Sequence, residues 1–371
     1  MTIKIGILKE TANNETRVAV VPEIANKLAA SGAGFLIEKN AGRSAGYNDN
    51  DYPKVCAFKA SRQDVLSGCN ILLTVNPPND KDIKSLKENT IVIGFMNPFD
   101  NEDLIKQMAE QNVVSFSVEL IPRISRAQSM DALSSQASIA GYKAVVLAAN
   151  HSNKFFPMLT TAAGTVRPSQ ILVIGAGVAG LQAIATAKRL GSRVLAFDVR
   201  SSTKEQIESL GATFLDTGVS AEGDGGYARE LTKEELNKQK EMLVENIGQS
   251  DVVITTAAVP GKPAPKLIDK ATVSKMMPGS VIVDLGAVSG GNCEATKADE
   301  TIDFEGVIVC GPTNLAATMP KHASELYSKN LANFLLPAIG EDGIEIDWED
   351  EIFTGSNLTN NGEVTFSANG K

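Results

Sequence analysis

The chain is poor in the residues that most often hold metals or carry acid–base catalysis. Its 371 residues include two His, four Cys and one Trp. The cysteines form no C-x-x-C pair, so we expect neither a zinc knuckle nor a disulfide framework, and four scattered thiols are typical of a reducing compartment. His151 and His322 stand apart without H-E-x-x-H spacing, which is not the pattern of a zinc hydrolase. No metal site is predicted.

Positive charge and long apolar runs are also scarce. Lys and Arg number 35 against 44 Asp and Glu, a formal net charge of −9, which argues against a nucleic-acid-binding surface. The first residues lack the apolar core of a secretory signal. Residues 169–187 are uncharged, but regularly spaced glycines and polar residues interrupt them, so we interpret them as a strand, a turn and a helix instead of a membrane span. The sequence predicts no transmembrane segment.

What is present is an ordinary globular composition with alternating strand and helix patterns. In the first third, helical patterns at residues 22–31 and 101–111 separate short apolar runs, which predicts βαβ units and a mostly parallel sheet. The runs that we predict as strands are residues 3–8, 35–38, 71–75, 91–95 and 113–118.

A second α/β series follows a proline-free helical segment at residues 129–149. Its predicted strands are residues 170–174, 193–197, 213–215, 252–256, 280–285 and 307–310. Residues 217–230 are rich in glycine and predict an exposed, mobile loop, and a helix is predicted after it at 232–246. A helical pattern at 323–335 could return the chain to the first lobe, and the tail from Gly355 is expected to fray.

These patterns predict an α/β protein of two Rossmann-like lobes. Each lobe would be a mostly parallel sheet flanked by helices, with a cleft between the lobes. We place the first, discontinuous lobe at residues 1–133 plus 313–371 and the second lobe, which would bind the nucleotide, at 134–312.

The strongest local signal is Gly175-Ala176-Gly177-Val178-Ala179-Gly180, between a predicted strand and a predicted helix. In such a motif the first glycine permits a tight turn, the second lets the backbone approach a pyrophosphate, and the third allows close helix–strand packing. The new helix directs its unpaired N–H groups at the phosphates. The alternative is a packing turn that binds nothing.

Asp198 ends the next predicted strand, eighteen residues after Gly180. An acidic side chain at this place accepts a hydrogen bond from a ribose 2′-hydroxyl and repels a 2′-phosphate, which favours NAD(H) over NADP(H). Arg200 could favour a phosphate instead, but Asp198 occupies the expected position.

A second polar cluster consists of Arg123, Gln128, Asp131 and Ser134. If a helix begins near Ser125, the last three share one face and could meet a flat polar group such as a carboxamide. A solvated first helical turn is the alternative interpretation of the same pattern.

The sequence shows no G-x-S-x-G and no Walker Gly-Lys-Ser/Thr motif. A dehydrogenase that oxidises an alcohol or an amine needs an acid or base to move the proton, and no such group is evident. Hydride exchange between two nicotinamides needs none.

The run at residues 123–136, Arg-Ile-Ser-Arg-Ala-Gln-Ser-Met-Asp-Ala-Leu-Ser-Ser-Gln, resembles the signature of the NAD(H)-binding domain of proton-translocating nicotinamide nucleotide transhydrogenases. Residues 9–22, 173–200, 225–230, 259–265 and 346–351 resemble the same family, so the similarity covers nearly the whole chain. The resemblance implies NAD(P)+ transhydrogenase activity, with NAD(H) bound here and NADP(H) bound by a partner subunit.

The resemblance also implies an assembly. It predicts a homodimer that works with an NADP(H)-binding subunit and with a membrane subunit that conducts protons. The chain would then be cytoplasmic and peripheral on the inner face of the cell membrane, either as a separately encoded subunit or as a domain of a longer one.

Carried over by residue, the resemblance implies a catalytic set around the nicotinamide: Arg123, Gln128, Asp131 and Ser134. Gln128 would reach towards the second nucleotide. Ile124, Ser125 and Arg126 join the cofactor-binding set from the same run.

The other implied cofactor contacts fall in the second lobe. They are Gly175, Gly177, Val178 and Gly180 at the pyrophosphate; Asp198, Val199 and Arg200 at the adenosine ribose; Gly226 and Tyr227 in a mobile loop that closes over NAD(H); Gln239 just beyond that loop; and Ala258 after a strand end.

Two alternatives remain. Alanine dehydrogenases share the opening Asn-Glu-x-Arg-Val-Ala pattern, and Arg17 is part of it here, but their substrate Lys and catalytic His correspond to Asn76 and Asn97. The second alternative is an NAD(H)-binding sensor without turnover.

Overall fold

A computed structural model describes residues 3–216, 218, 232–258, 261–340 and 343–367. The chain divides into two compact units. Unit 1 comprises Met1–Gln136 and Ala317–Lys371, and unit 2 is Ala137–Ala316. These divisions lie within a few residues of the sequence boundaries proposed above.

Unit 1 begins with alternating strands and helices. In chain order these are β1 (Lys4–Ile7), α1 (Pro22–Ala30), β2 (Gly34–Glu38), β3 (Cys56–Lys59), α2 (Arg62–Leu66), β4 (Ile71–Leu73), α3 (Asp80–Ser85), β5 (Ile91–Gly94), α4 (Glu102–Glu110) and β6 (Val114–Ser117). Short 3₁₀ helices lie at Arg43–Ala45, Asp49–Asp51, Val118–Leu120 and Ser125–Met130, and α5 (Ala132–His151) runs past the boundary between the units.

Unit 2 contains a second α/β series. Its elements are β7 (Leu159–Thr161), β8 (Gly164–Val166), β9 (Gln170–Ile174), α6 (Val178–Arg189), β10 (Arg193–Phe197), α7 (Lys204–Ser209), β11 (Thr213–Phe214), α8 (Lys233–Gly248), β12 (Val252–Thr255), α9 (Lys270–Val273), β13 (Val281–Asp284), β14 (Thr301–Phe304) and β15 (Val307–Cys310). The 3₁₀ helices Ser201–Thr203 and Leu285–Ser289 follow β10 and β13.

The chain then returns to unit 1. The returning elements are α10 (Pro320–Leu335), β16 (Ile339–Gly340), β17 (Gly343–Ile344), α11 (Glu351–Ser356), β18 (Asn357–Asn360) and β19 (Glu363–Val364). The helix predicted near 323–335 is α10, and it lies in unit 1.

Each unit is built on a mostly parallel sheet, as predicted. Among the described strands, the order in unit 1 is β19-β18-β6-β5-β4-β1-β2-β3, and in unit 2 it is β11-β10-β9-β12-β13-β15-β14. Within these two sheets the described antiparallel pairs involve β18 and β19 in unit 1 and β14 in unit 2. Because parallel strands are covered on both faces, they are near-continuous apolar runs, such as the fully buried Val252–Thr255.

The strand order reverses direction once in each sheet. In unit 1 the reversal lies between β1 and β4, and in unit 2 it lies between β9 and β12. Ligands of open α/β sheets bind outside the carboxyl ends of the strands at such a switch point. The fold therefore directs attention to the residues that follow these four strands.

The C-terminal tail corrects one expectation. Instead of fraying from Gly355, it adds β18 and β19 to the sheet of unit 1. Leu358 and Thr359 are fully buried, and the Thr359 hydroxyl donates to the Val113 carbonyl at 2.7 Å. The Asn- and Thr-rich sequence looked solvated because the partners that satisfy its polar groups lie about 240 residues earlier in the chain.

Candidate functional site

The glycine-rich turn lies directly after β9, at the switch point of unit 2. Gly175 has a φ of +99°, a left-handed conformation that glycine adopts readily. A Cβ on Gly180 would lie 1.9 Å from the Gly175 carbonyl oxygen, so only glycine fits there. The Thr256 hydroxyl, which follows β12, donates to the same carbonyl at 3.1 Å. The turn is thus held from the strand on the other side of the switch point.

The N-terminus of α6 suits a phosphate. Its N-cap residue, Gly177, provides no side-chain hydrogen bond to the helix, so the first N–H groups of the helix remain for a ligand. A Cβ on Gly177 would meet nothing within 4 Å. Val178, the first helical residue, is exposed. These features fit a pyrophosphate that approaches the backbone closely.

Asp198 lies at the end of β10 and is only 7% exposed. One carboxylate oxygen accepts the Ala176 backbone N–H at 2.7 Å, which ties β10 to the glycine turn. The Arg200 guanidinium donates to both oxygens, at 2.8 and 2.7 Å. Burial raises the pKa of Asp198, but the hydrogen bonds from Arg200 and Ala176 outweigh it and leave the pKa below its usual value.

Asp198 therefore has a second role that the sequence did not reveal. It is a carboxylate at the ribose position, and it also organises the phosphate turn. Val199 and Arg200 beside it are half-buried.

The carboxyl ends of β12 and β13 carry a polar network that sequence reasoning missed. The Asp284 carboxylate is fully buried and accepts four hydrogen bonds, from the Thr255 and Thr296 hydroxyls and from the Gly286 and Cys293 backbone. A second Asp at a strand end was the available signal. Asn292 donates to the Ala257 carbonyl at 2.8 Å and so fixes the turn before the exposed Ala258.

In unit 1 the predicted polar cluster does not form a single helical face. Residues Ser125–Met130 form a 3₁₀ helix, and α5 begins only at Ala132. Asp131 lies between them and caps α5, because its carboxylate accepts the Ser134 N–H at 2.8 Å and the Ser134 hydroxyl at 2.6 Å. Asp131 and Ser134 are therefore hydrogen-bonded to each other.

The remaining residues of that cluster lie at the surface of unit 1. Arg123, Ser125 and Gln128 are exposed, and Ile124 is half-buried. Arg126 is directed to α11, where its guanidinium donates to both oxygens of Asp350 at 2.7 and 2.6 Å. Gln128 is the uncharged amide that this segment presents to solvent.

The switch point of unit 1 is filled by its own side chains. The Asn76 amide, which follows β4, donates to Glu10 and Glu15, each at 3.1 Å. Arg17 donates to Glu15 at 2.8 and 2.7 Å and to the Gln136 side chain at 2.9 Å. Burial raises the pKa of both carboxyls; hydrogen bonds and the charge of Arg17 overcome this at Glu15 and lower its pKa to about 2, whereas the pKa of Glu10 stays raised.

Arg17 thus acts structurally, since hydrogen bonds engage its Nε and both of its terminal nitrogens. Asn97 has a left-handed φ of 45°, and its backbone N–H donates to Glu119 at 2.8 Å. Neither it nor Asn76 can replace the Lys and His of an alanine dehydrogenase.

Three residues predicted to contact the cofactor belong to the loop after β11 and to the helix that follows it. Gly226 and Tyr227 fall outside the described residues, as does nearly all of the predicted loop. Gln239 on α8 is buried, and its carbonyl oxygen has no hydrogen-bond partner among the described residues.

Metal-binding and membrane-spanning features do not occur within the same ranges. No group of three or more potential metal ligands is found among the described residues. No described helix is long and apolar enough to span a membrane.

A parallel sheet whose switch point carries a glycine turn, an uncapped helix N-terminus and a strand-end carboxylate defines a dinucleotide-binding α/β protein. Family models agree: residues 6–140 match the alanine dehydrogenase/PNT N-terminal domain, and residues 144–367 match the corresponding C-terminal domain. The chain belongs to the alanine dehydrogenase/PNT family.

Individual relatives separate the two branches of that family. The chain is 42% identical over 369 residues to the first part of the NAD(P) transhydrogenase subunit alpha of Rickettsia prowazekii, with 98% of this chain and 96% of that protein covered. It superposes on a transhydrogenase structure from Sinorhizobium meliloti with a TM-score of 0.85 and 39% identity, covering 97% and 98% of the two chains. Alanine dehydrogenase 1 of Staphylococcus aureus is 26% identical over 97% of this chain and 94% of its own.

Proposed function

We propose that the chain is the NAD(H)-binding component of a proton-translocating transhydrogenase. It exchanges hydride directly between the nicotinamide that it binds and NADP(H) held by a partner subunit. The observation that carries this proposal is the nucleotide turn of unit 2, in a chain that is 42% identical, almost end to end, to a transhydrogenase alpha subunit.

The nucleotide would lie along the switch point of unit 2. Gly175, Gly177, Val178 and Gly180 would face the pyrophosphate, because the α6 N–H groups and the open space at Gly177 meet there. Asp198 and Arg200 would hold the adenosine ribose. Ala258, after β12, would contact the other half of the nucleotide, since nucleotides extend across the strand ends on both sides of the switch point.

Unit 1 would supply the groups at the nicotinamide. Gln128 is exposed and uncharged, so its amide can donate to one carboxamide and accept from another without favouring either redox state. Arg123 lies in the same exposed segment. Asp131 and Ser134 form the hydrogen-bonded pair that begins α5.

The alanine dehydrogenase alternative is disfavoured by the same geometry. Asn76 is bound to Glu10 and Glu15, and Asn97 contributes its backbone to Glu119. An amide cannot deliver the proton that amino-acid oxidation requires. A sensor without turnover would retain the nucleotide turn but would not need an exposed Gln128.

The assembly belongs to the proposal as well. The NADP(H)-binding subunit and the proton-conducting membrane subunit would hold this chain at the inner face of the membrane. A homodimer is supported by the β7–β8 hairpin, all of whose strand residues are exposed. An isolated two-stranded hairpin is at best marginally stable in water, and exposed apolar side chains such as Met158 mark interaction surfaces.

The experiment that tests the proposal is reconstitution. The purified chain is mixed with an NADP(H)-binding transhydrogenase subunit, and reduction of an NAD+ analogue by NADPH is followed optically. We expect turnover only when both proteins are present. The chain with NAD+ and L-alanine is the control and should be inactive; activity there, with none in the mixture, would identify a dehydrogenase.

A further inference from the structure

The exposed amide of Gln128 projects from a short element that is intrinsically weak. The 3₁₀ helix Ser125–Met130 has six residues, and runs of this helix beyond three or four residues are uncommon because their hydrogen-bond geometry is poor. Ala127 and Met130 are buried, which anchors one side. That anchoring alone would leave the outward side of the turn free to fray.

One clamp lies before Gln128. Both terminal nitrogens of Arg126 donate to Asp350, at 2.7 and 2.6 Å, a bidentate geometry that fixes orientation as well as distance. Asp350 is itself held, because it is the N-cap of α11 and accepts the Ile352 N–H at 2.7 Å. Ile352 and Phe353 of α11 are buried in the core of unit 1.

The other clamp lies after Gln128. The Ser129 carbonyl accepts two side-chain amides of α10, from Asn330 at 2.9 Å and from Asn333 at 3.1 Å. Asn330 is 8% exposed and also accepts the Ser135 hydroxyl at 2.7 Å. A single residue of α10 thus connects the 3₁₀ helix to the first turn of α5.

We infer that Asp350 and the pair Asn330 and Asn333 are positioning residues for hydride transfer, acting through the backbone that carries Gln128. The inference rests on the proposed function. Transfer requires a near-attack distance of about 3–3.5 Å between the reacting carbons, and a displacement of about 1 Å can cost roughly 10²-fold in rate. Two clamps on a six-residue helix give the rigidity that this alignment needs, without a contact to either nucleotide.

The test uses Asp350→Asn in the full chain. Asparagine remains a good N-cap, so α11 keeps its cap while the charged bidentate acceptor of Arg126 is removed. Asp347→Asn is the matched control, because the Asp347 carboxylate accepts the neighbouring Glu349 N–H and does not contact the 3₁₀ helix. Asn333→Ala, at an exposed position, probes the second clamp.

Three quantities are measured for each variant: the single-turnover hydride-transfer rate with the NADP(H)-binding subunit, the NADH dissociation constant, and amide hydrogen exchange at residues 125–131. For Asp350→Asn we expect the transfer rate to fall about tenfold or more, NADH affinity to stay within about twofold, and exchange to accelerate. Asn333→Ala should show the same pattern more weakly. Asp347→Asn should match the parent in all three.

Parental transfer by both Asp350→Asn and Asn333→Ala would overturn the inference, whether or not exchange accelerates. A slower rate together with a proportionate loss of NADH affinity would also overturn it, since the residues would then act on binding. If the parent itself fails to transfer hydride, the proposed function fails first. Exchange alone then still reports whether the clamps exist in solution.

Discussion

At the scale of single residues, Asp198 shows how one carboxylate can serve both structure and specificity. The sequence places it correctly at a strand end, but its bonds to Ala176 and Arg200 come from groups whose approach no local pattern encodes. The pKa of Asp198 is held below its usual value, so the carboxylate is charged at neutral pH. A 2′-phosphate brought beside it would meet that charge, which Arg200 offsets in part.

We therefore predict that NADH binds at least about tenfold more tightly than NADPH, or by roughly 1.4 kcal/mol. Asp198→Asn should narrow the ratio, because the repulsion of the 2′-phosphate is removed. It should also weaken NADH binding, because Ala176 and Arg200 lose a charged acceptor. Calorimetric titration of both nucleotides checks this. Equal affinities in the unmutated protein would remove Asp198 from the ribose site.

Gln128 gives the second residue-scale prediction. Gln128→Asn keeps the amide and shortens its reach by one methylene. We expect a loss of about tenfold or more in the hydride-transfer rate, with NADH affinity changed only a few-fold, because alignment matters more to transfer than to binding. Stopped-flow transfer and equilibrium titration on the same preparation separate the two effects. A parental transfer rate would reduce Gln128 to a solvated surface residue.

At the scale of elements, success and failure of the sequence analysis have physical causes. Buried parallel strands are apolar runs, so β9, β10 and β15 are found at their predicted bounds. The strand β3 was missed because none of its residues is fully buried, and β18 because its polar residues bond to distant backbone. The 3₁₀ helix before α5 was interpreted as the first turn of the helix, since Asp131 interrupts the pattern only through its cap.

The glycine turn yields a paired prediction. Gly180→Ala places a Cβ against the Gly175 carbonyl at 1.9 Å, so β9 and α6 must separate, and we expect a loss of stability of at least about 1–3 kcal/mol. Gly177→Ala places its Cβ in open space and should leave stability within about 1 kcal/mol while it weakens NADH binding.

Urea unfolding and NADH titration of both variants test this contrast. If Gly177→Ala binds NADH as the parent does, the pyrophosphate does not approach the backbone at that residue.

At the scale of the whole molecule, two units of the same α/β style carry different portions of the proposed site. Unit 2 has its switch point open to a nucleotide, whereas unit 1 has filled its own with Glu10, Glu15, Arg17 and Asn76 and presents Gln128 from another edge. The sequence predicted both lobes from strand and helix alternation. It could not predict the filled switch point, because those contacts join residues more than sixty positions apart.

The β7–β8 hairpin carries the prediction for assembly. We expect the chain to sediment as a dimer, and Leu159→Ser combined with Val166→Ser should shift it towards monomer, because both exposed side chains would lose apolar contact with the second copy. Met277→Ser, at another exposed apolar residue of unit 2, is the control. Sedimentation velocity across a dilution series is the measurement, and a double variant as dimeric as the parent would exclude the hairpin as the interface.

The central claim is direct hydride transfer from the nucleotide bound here to one held by a partner. The most direct measurement supplies NADH that carries deuterium at both C4 positions to the chain, with the NADP(H)-binding subunit and NADP+ in ordinary water. The account predicts one deuterium in each NADPH formed and none released to solvent, because no protein acid or base takes part in the transfer. NADPH without deuterium, or no NADPH at all, would contradict it.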